Sequence, residues 1–288
     1  WIKNRVSIPD IEQLKQKTRS GSKANGWGPN NSFSYPRHGG IGEIFRRLSL
    51  RFGGRLLRNH KVTKVDTLQR VVTTLNGRQF AYGKLLNTSP LDKFVKDVIK
   101  PIQPGIVNAA KLLKHNSVAI FGIGLDMIIN KKTSWMYFPE SSCPFYRVTH
   151  LHNYSPHITP NSRRYSAFMA EISYSAQNSI DHHRLEERVV KGLIDAGLLA
   201  KEKERDITSR WRMSSEYGYP IPCLERDRIL TMIQPYLEAR NVYSRGRFGG
   251  WKYEVGNMDH SFMQGVEWVE RMVLGKKECT YTGSKTVN

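Results

Sequence analysis

The chain is poor in cysteine, lacks long apolar runs and is short of acid, and each shortage excludes something. Cys143, Cys223 and Cys279 are odd in number and widely spaced, which gives neither a disulfide framework nor a C-x-x-C zinc pair. No run of about 18 apolar residues occurs, so no transmembrane helix is expected. The opening at Trp1 shows no basic-then-apolar leader, and with the cysteine usage this makes a reducing cytoplasm the expected location. No Gly-x-Ser-x-Gly element, Ser/His/Asp order or reactive-cysteine setting is present, so nucleophilic catalysis by a side chain has no support. "FGIGLDM" (121–127) offers Gly122-x-Gly124, but Met127 stands where a third glycine belongs and no helix follows. The chain therefore carries no dinucleotide-binding fingerprint.

The shortage of acid is the unusual figure: 45 Lys and Arg against 25 Asp and Glu, a net charge of +20. A basic balance of this size suits nucleic acid, an acidic membrane surface or anionic small molecules. Residues 1–60 alone hold 12 basic and 3 acidic residues. Arg46, Arg47, Arg51, Arg55 and Arg58 nevertheless fall on a helix-like stretch, where a solvated face is the ordinary reading. No nucleic-acid recognition motif accompanies them. With 39% apolar residues over 288 positions, the rest is ordinary for one large domain or two smaller ones.

The pattern predicts a helix over 9–18, a short strand at 33–36, and a helix behind Gly39-Gly40 with Ile41, Ile44, Phe45, Leu48 and Phe52 at helical spacing. A meander follows over 61–65, 70–75 and 79–86, with Asn76-Gly77 as a hairpin signal. "NTSPLDKFVKDVI" reads as a strand end running into a helix. Longer strands are predicted at 117–125, 134–138, 145–153, 163–174, 207–213 and 241–248. Helices are predicted over about 179–200 and 224–239, with a closing helix from about 259. Strands that outnumber helices and pair in sequence predict an α+β fold with a substantial antiparallel sheet.

Two histidine groups invite a metal reading: His150-x-His152 with His157, and Asp181-His182-His183. On a strand, His150 and His152 would share a face, but no carboxylate or cysteine stands at ligand spacing, so no metal is expected. The remaining chemical signal is a scatter of arginines and tyrosines in polar or glycine-flanked settings: Arg147, Tyr154, Tyr219, Arg247 and Tyr253. Arginine forks and phenols suit diphosphate oxygens, because charge-assisted bonds to phosphate are short and strong. The plainer reading of each, alone, is an ordinary interface tyrosine or a snorkelling arginine. In "GRFGGWKYEVGNMDHSFMQGVEWVE", which starts at Gly246, glycines, aromatics and arginine lead into helical spacing. Phe262, Met263, Val266, Val269 and Val273 are expected on the buried face of the closing helix. Ser261 with Gln264 has capping-box spacing. Gly249, Gly250 and Gly256 are expected to let backbone approach a flat ring closely.

"NGWGPNNSFSYPRHGGIGEIF", "WMYFPESSCPFYRVTHLHNYSP", "YGYPIPCLERD" and "SRGRFGGWKYEVGNMDHSFMQGVE" together resemble the eukaryotic-type UDP-galactopyranose mutases and their bacterial homologues. These are similar to the wider FAD-binding, amine-oxidase-like flavoproteins. The resemblance runs in order along nearly the whole chain. It implies FAD in its reduced form, a UDP-sugar substrate, and ring contraction between galactopyranose and galactofuranose through a sugar adduct on flavin N5. NADPH, NADH or another reductant would supply electrons. Membrane and nucleic acid are not implied as partners, and the oligomeric state is left open. Chemistry carried by a cofactor fits a chain with no nucleophile of its own.

Residue by residue, the resemblance implies that Arg5 and Arg147 grip the diphosphate and that Tyr154, Tyr219 and Tyr253 donate to it. Tyr137 and Asn30 would line the pocket near nucleotide and flavin. Arg247 and Asn257 would lie beside flavin and sugar as the catalytic pair. Gly39, Gly40, Val62, Gly256, Met258 and Ser261 would join Arg247 and Asn257 in holding the cofactor. Met258 departs from a family position that tends to be polar. By the same resemblance, residues 1–24 end a helical substrate region and 25–115 form an FAD-domain segment. Residues 116–222 would form the antiparallel substrate-side sheet, and 223–288 the C-terminal portion of the FAD-binding α/β domain. The family's N-terminal dinucleotide-binding βαβ portion has no counterpart in this sequence, so inactivity of the chain alone is expected. Two other readings stay open: an FAD-dependent amine- or protoporphyrinogen-oxidase-like oxidoreductase, and a basic nucleic-acid-binding module.

Overall fold

Asn76-Gly77 makes the turn its sequence calls for. Gly77 takes φ +79°, which costs glycine no steric clash, and Thr74 N donates to Arg78 O at 2.9 Å across the turn. In a computed structural model that describes residues 33–283 together with 11, 12, 15 and 16, this turn joins two strands of the first of two compact units. That unit comprises residues 1–34, 60–114 and 220–288.

Its first sheet places β1 (Val62–Asp66) between β2 (Val71–Thr74) and β5 (Ile99–Lys100), with β3 (Gln79–Ala81) beyond β2. The meander strands are antiparallel, whereas β5 returns parallel to β1. That return needs a crossover, supplied by the helical stretches Leu91–Lys93 and Phe94–Val98. Leu91, Phe94, Val95 and Ile99 are all buried there. The predicted strand 79–86 is two strands. It breaks at 82–84, and β4 (Leu85–Asn87) leaves the meander to pair in parallel with β11 (Val242–Ser244). The predicted strand 241–248 is correspondingly short, because Gly246 at φ +86° turns the chain into a one-turn helix, Gly246–Gly249. Helices α2 (Pro104–Lys111), α4 (Arg226–Glu238) and α5 (Met258–Leu274) complete the unit.

The second unit comprises residues 35–59 and 115–219. Its five-stranded sheet has the order β10-β6-β9-β8-β7, from β6 (His115–Leu125), β7 (Trp135–Tyr137), β8 (Arg147–His150), β9 (Ser166–Tyr174) and β10 (Ile207–Pro220). β7, β8, β9 and β6 pair antiparallel. Thr208 bonds Gly124 and Tyr219 bonds Asn116, so β10 also runs opposite to β6. Period two then divides the residues. Ala119, Phe121, Ile123, Leu125, Val148, Phe168, Ala170 and Ile172 form one covered face, packed with Leu185, Val189, Val190 and Leu193 of α3 (Leu185–Asp195). Each such side chain contributes about 1.5–3 kcal/mol on burial. Gly122 and Gly124, which imitate a dinucleotide motif, serve packing instead. A Cβ on Gly124 would strike the Ser209 hydroxyl, and one on Gly122 would meet Trp211 at 3.6 Å.

Both halves together give an α+β architecture, with an antiparallel sheet and separate helical layers. Residues 33–36 adopt no regular strand, and α1 (Gly42–Leu50) follows them without a buried residue. No helix among the described residues is long and apolar enough to cross a membrane.

Candidate functional site

The face of the five-stranded sheet opposite α3 carries the polar residues. Register makes Tyr137, Arg147, Glu171 and Ile120 successive cross-strand neighbours, and Trp135, Thr149, Met169 and Gly122 the next row. Partners across an antiparallel pair share a face, so Tyr137, Arg147 and Glu171 stand side by side. Arg147 forks onto Glu171: Nη2 donates to Oε1 at 2.8 Å and Nε to Oε2. Its guanidinium also lies 5.9 Å from the Tyr137 ring and 5.8 Å from the Tyr146 ring. Burial works against the Arg147 charge, but the bonds and charge of Glu171 outweigh it and raise the pKa. A guanidinium has five N–H donors and the carboxylate occupies two, so a planar cation is held in place with donors to spare.

Tyrosines ring this cation. Tyr154 follows the 3-10 turn Leu151–Asn153 and bonds Thr149. Its ring meets Tyr35 edge-on at 5.1 Å and Trp135 at 6.5 Å. Burial first, offset by Arg147, pushes its phenol pKa up, so it stays a donor at neutral pH. Tyr219 sits at the end of β10, where its N–H donates to Asn116 Oδ1 at 2.6 Å. Its side chain lies against Tyr146 and close to Arg147. Burial, then Glu171 and Tyr219, raise Tyr146. Four of the predicted residues, Tyr137, Arg147, Tyr154 and Tyr219, are thus brought together on one unit. Gly39 and Gly40 lie on the same unit. Both have positive φ and form the turn before α1, where Glu43 N donates to Gly40 O at 3.1 Å.

Three members of the cluster escaped the sequence reading: Glu171, Tyr146 and Tyr35. The signal for Glu171 is a lone carboxylate in the apolar strand "SAFMAEISY". Its partner is set by strand register, which no local pattern supplies.

The other predicted residues belong to the first unit. Val62 opens β1 opposite Thr74, beside a register shift, and is 41% exposed. Arg247 lies in the Gly246–Gly249 turn, and its Nε donates to Gly256 O at 2.7 Å. Tyr253 begins a 3-10 turn, Tyr253–Val255, and Asn257 is the N-cap of α5. Arg5 and Asn30 lie outside the described residues.

Three expectations for this segment are corrected. Ser261 and Gln264 form no capping box, because the helix already begins at Met258. Gln264 is instead buried and bridges two backbone groups: Gly246 N donates to its Oε1 and its Nε2 donates to Val255 O, both at 2.8 Å. Gly249 and Gly250 admit close backbone approach, but to the protein itself. A Cβ would lie 2.9 Å from Asn87 O at Gly249 and 2.9 Å from the Tyr281 ring at Gly250. Phe262, Met263, Val266, Val269 and Val273 are all exposed, because the opposite face of α5, with Gln264, packs inward.

The turn is anchored from below by a charged network. Arg245 is 2% exposed, forks onto Glu278 and donates to Glu238 at 2.8 Å, while Arg271 bonds the same two carboxylates. Burial alone would raise Glu238 and Glu278, but the bonds from Arg271 and Arg245 lower both below the usual carboxylate range. A carboxylate whose folded pKa is depressed contributes stability above its unfolded value and loses it as pH falls through the folded one. Urea midpoints should therefore hold steady above about pH 5 and fall between about pH 5 and 3, with the fall reduced in Glu278→Gln. An unchanged slope in that variant would show that other groups govern acid unfolding.

The histidines do not make a metal site. His150 Nδ1 bonds Thr133 O at 2.8 Å, and His152, already past the end of β8, lies between Ala167 O and Ile129 O. Among the described residues no group of three or more His, Cys, Asp or Glu is placed to hold a metal ion. The first turn of α5 presents backbone N–H donors. Its N-cap makes no side-chain bond, and the first intrahelical return is Ser261 N to Asn257 O. The preceding N–H groups suit an anionic ring edge, although Asp259 in the same turn opposes it.

No family model matches the chain. Among solved structures, reduced UDP-galactopyranose mutase superposes with a TM-score of 0.89 at 32% identity, over 98% of this chain and 61% of that one. A CLA-producing fatty acid isomerase from P. acnes matches 81% of this chain and 52% of its own, with a TM-score of 0.58 and 14% identity, which speaks for fold alone. The chain thus spans about three-fifths of the mutase it matches, as expected of a C-terminal part. By fold and by sequence together, this chain is a relative of the UDP-galactopyranose mutases, corresponding to part of such a chain.

Proposed function

We propose that the chain supplies the diphosphate-binding face and part of the flavin-side surface of an FAD-dependent UDP-galactopyranose mutase-like isomerase. The observation that carries this reading is the Arg147 cluster: a fixed, partly exposed guanidinium with tyrosines at its edges, on the sheet face opposite α3. Two oxygens of a tetrahedral phosphate match the spacing of two spare guanidinium N–H donors, and un-ionised phenols add neutral donors. Tyr137, Arg147, Tyr154 and Tyr219 would hold the UDP leaving group and keep it in place for its return. Reduced FAD, when bound, would supply the nucleophile for ring contraction. On the first unit, Arg247, Tyr253 and Asn257 are proposed ligand neighbours, and the first turn of α5 would meet the anionic edge of the cofactor. Gly39, Gly40, Val62, Gly256, Met258 and Ser261 are proposed cofactor neighbours from the likeness to the mutases. An oxidase of apolar substrates has no use for the Arg147 cluster.

Calorimetric titration with UDP tests the assignment. Arg147→Ala should weaken binding about 10- to 100-fold, the loss of charged hydrogen bonds worth about 1.5–3 kcal/mol. Arg147→Lys should recover only part, because an ammonium cannot fork. Unchanged UDP affinity in Arg147→Ala would remove the diphosphate assignment. Tight, steeply salt-dependent binding to arbitrary DNA with none to UDP would favour a nucleic-acid module instead.

A further inference from the structure

The hydroxyl of Tyr146, on the second unit, is buried and has no hydrogen-bond partner among the described residues. Taking a phenol out of water without a bond costs stability, so the oxygen calls for a use beyond folding. The backbone of Tyr146 is fixed from both sides. Phe138 N donates to Tyr146 O at 2.9 Å, and Tyr146 N donates to Glu171 O at 3.0 Å. The residue is thereby stitched between the strands that carry Tyr137 and Glu171, with its ring 5.8 Å from the Arg147 guanidinium. Two acceptors stand near the hydroxyl: the Glu171 carboxylate and the Tyr219 oxygen. Glu171 is engaged, since Oε1 takes Arg147 Nη2 at 2.8 Å and Oε2 takes Nε. Tyr219 differs, because a phenol oxygen accepts best when its own proton points elsewhere. Burial, then the charge of Glu171, raise the Tyr146 pKa, so its hydroxyl keeps its proton at neutral pH and remains a donor.

We propose that Tyr146 is a positioning residue for the diphosphate, donating to the Tyr219 oxygen when Tyr219 donates to a phosphate oxygen. Diphosphate oxygens are strong acceptors, so the bound ligand turns the Tyr219 proton towards itself and leaves a Tyr219 lone pair for Tyr146. The two bonds then run in one direction, from Tyr146 to Tyr219 to phosphate, and each strengthens the other. Tyr146 does not touch the ligand. Its hydroxyl is unsatisfied in the free chain and satisfied in the complex, so the cost of burying it returns as affinity. This inference rests on the diphosphate reading of the Arg147 cluster and extends it by one residue.

The test is calorimetric titration with UDP, together with thermal melting, of Tyr146→Phe, Tyr219→Phe, the double variant and Arg147→Ala. Tyr146→Phe should bind UDP about 3- to 10-fold more weakly, the loss of one neutral hydrogen bond. The same variant without ligand should melt at or above the parent temperature, because an unsatisfied buried hydroxyl has gone. In the Tyr219→Phe background, Tyr146→Phe should leave UDP affinity unaltered, since the oxygen that accepts from Tyr146 is absent. A merely structural role would lower stability and would not depend on Tyr219. Three results would overturn the proposal: undiminished UDP affinity in Tyr146→Phe, melting more than about 2 °C below the parent, or an equal loss of affinity with and without the Tyr219 hydroxyl. If any of these occurs while Arg147→Ala still weakens binding, the diphosphate reading stands without Tyr146. If Arg147→Ala leaves UDP affinity unchanged, that reading falls and the role of Tyr146 falls with it.

Discussion

Arg245→Ala should lower the unfolding free energy of the first unit by about 3–5 kcal/mol, the cost of breaking a buried ion pair from one side. The reason is orphaned charge. Glu278 is 5% exposed and receives a fork from Arg245, whose guanidinium also reaches Gln234, Glu238 and Ser244 O. Without it, Glu278 and Glu238 share Arg271 alone. Arg271→Ala should cost less, because its side chain is 37% exposed and water screens what it leaves behind. Urea unfolding followed by tryptophan fluorescence reads both. A loss below about 1 kcal/mol for Arg245→Ala would mean that water enters the network freely. The functional consequence is local: Arg245 precedes the turn that carries Arg247, so a loosened network should spread to the segment proposed to face the flavin.

Glu171→Ala should have two effects. It removes both bonds of the Arg147 fork, costing about 1.5–3 kcal/mol of stability. It should also weaken UDP binding, because the guanidinium loses the partner that fixes its plane and a long side chain regains its rotamers. Glu171→Gln keeps an acceptor at the same place and should recover most of the stability and part of the affinity. Tighter UDP binding in Glu171→Ala would contradict the positioning role, showing that the carboxylate competes with phosphate for Arg147. Melting curves and UDP titrations on the same three proteins separate these outcomes.

How much was legible beforehand differs between sheet and site. The strands at 117–125 and 163–174 were legible as long apolar, β-prone runs, which are local, whereas which of their residues face the core was decided by packing. Arg147, Tyr154 and Tyr219 were legible as candidates from residue type and family likeness. Glu171 was not, since its role depends on standing opposite Arg147, and register is a property of two strands. The closing helix misled for a related reason. Its apolar spacing was read correctly, but spacing names a stripe and not the layer that covers it. The covered side is the one with Gln264, which bonds Gly246 N and Val255 O. Gly249 and Gly250 were read as points of close approach to a flat ring, but the groups nearest them are Asn87 O, Gly246 O and the Tyr281 side chain.

The sequence by itself determined the α+β class, the hairpin at Asn76-Gly77, the basic character and the likeness to the mutases. These follow from local stereochemistry, composition and motif, which are written residue by residue. Only the tertiary structure decided that Arg147 shares its charge with Glu171 and that Arg245 anchors the Gly246–Gly249 turn from within the core. It also decided that α5 turns its apolar stripe outward. Each of those depends on long-range pairing, where a side chain's energy is set by the groups that surround it once distant segments have met.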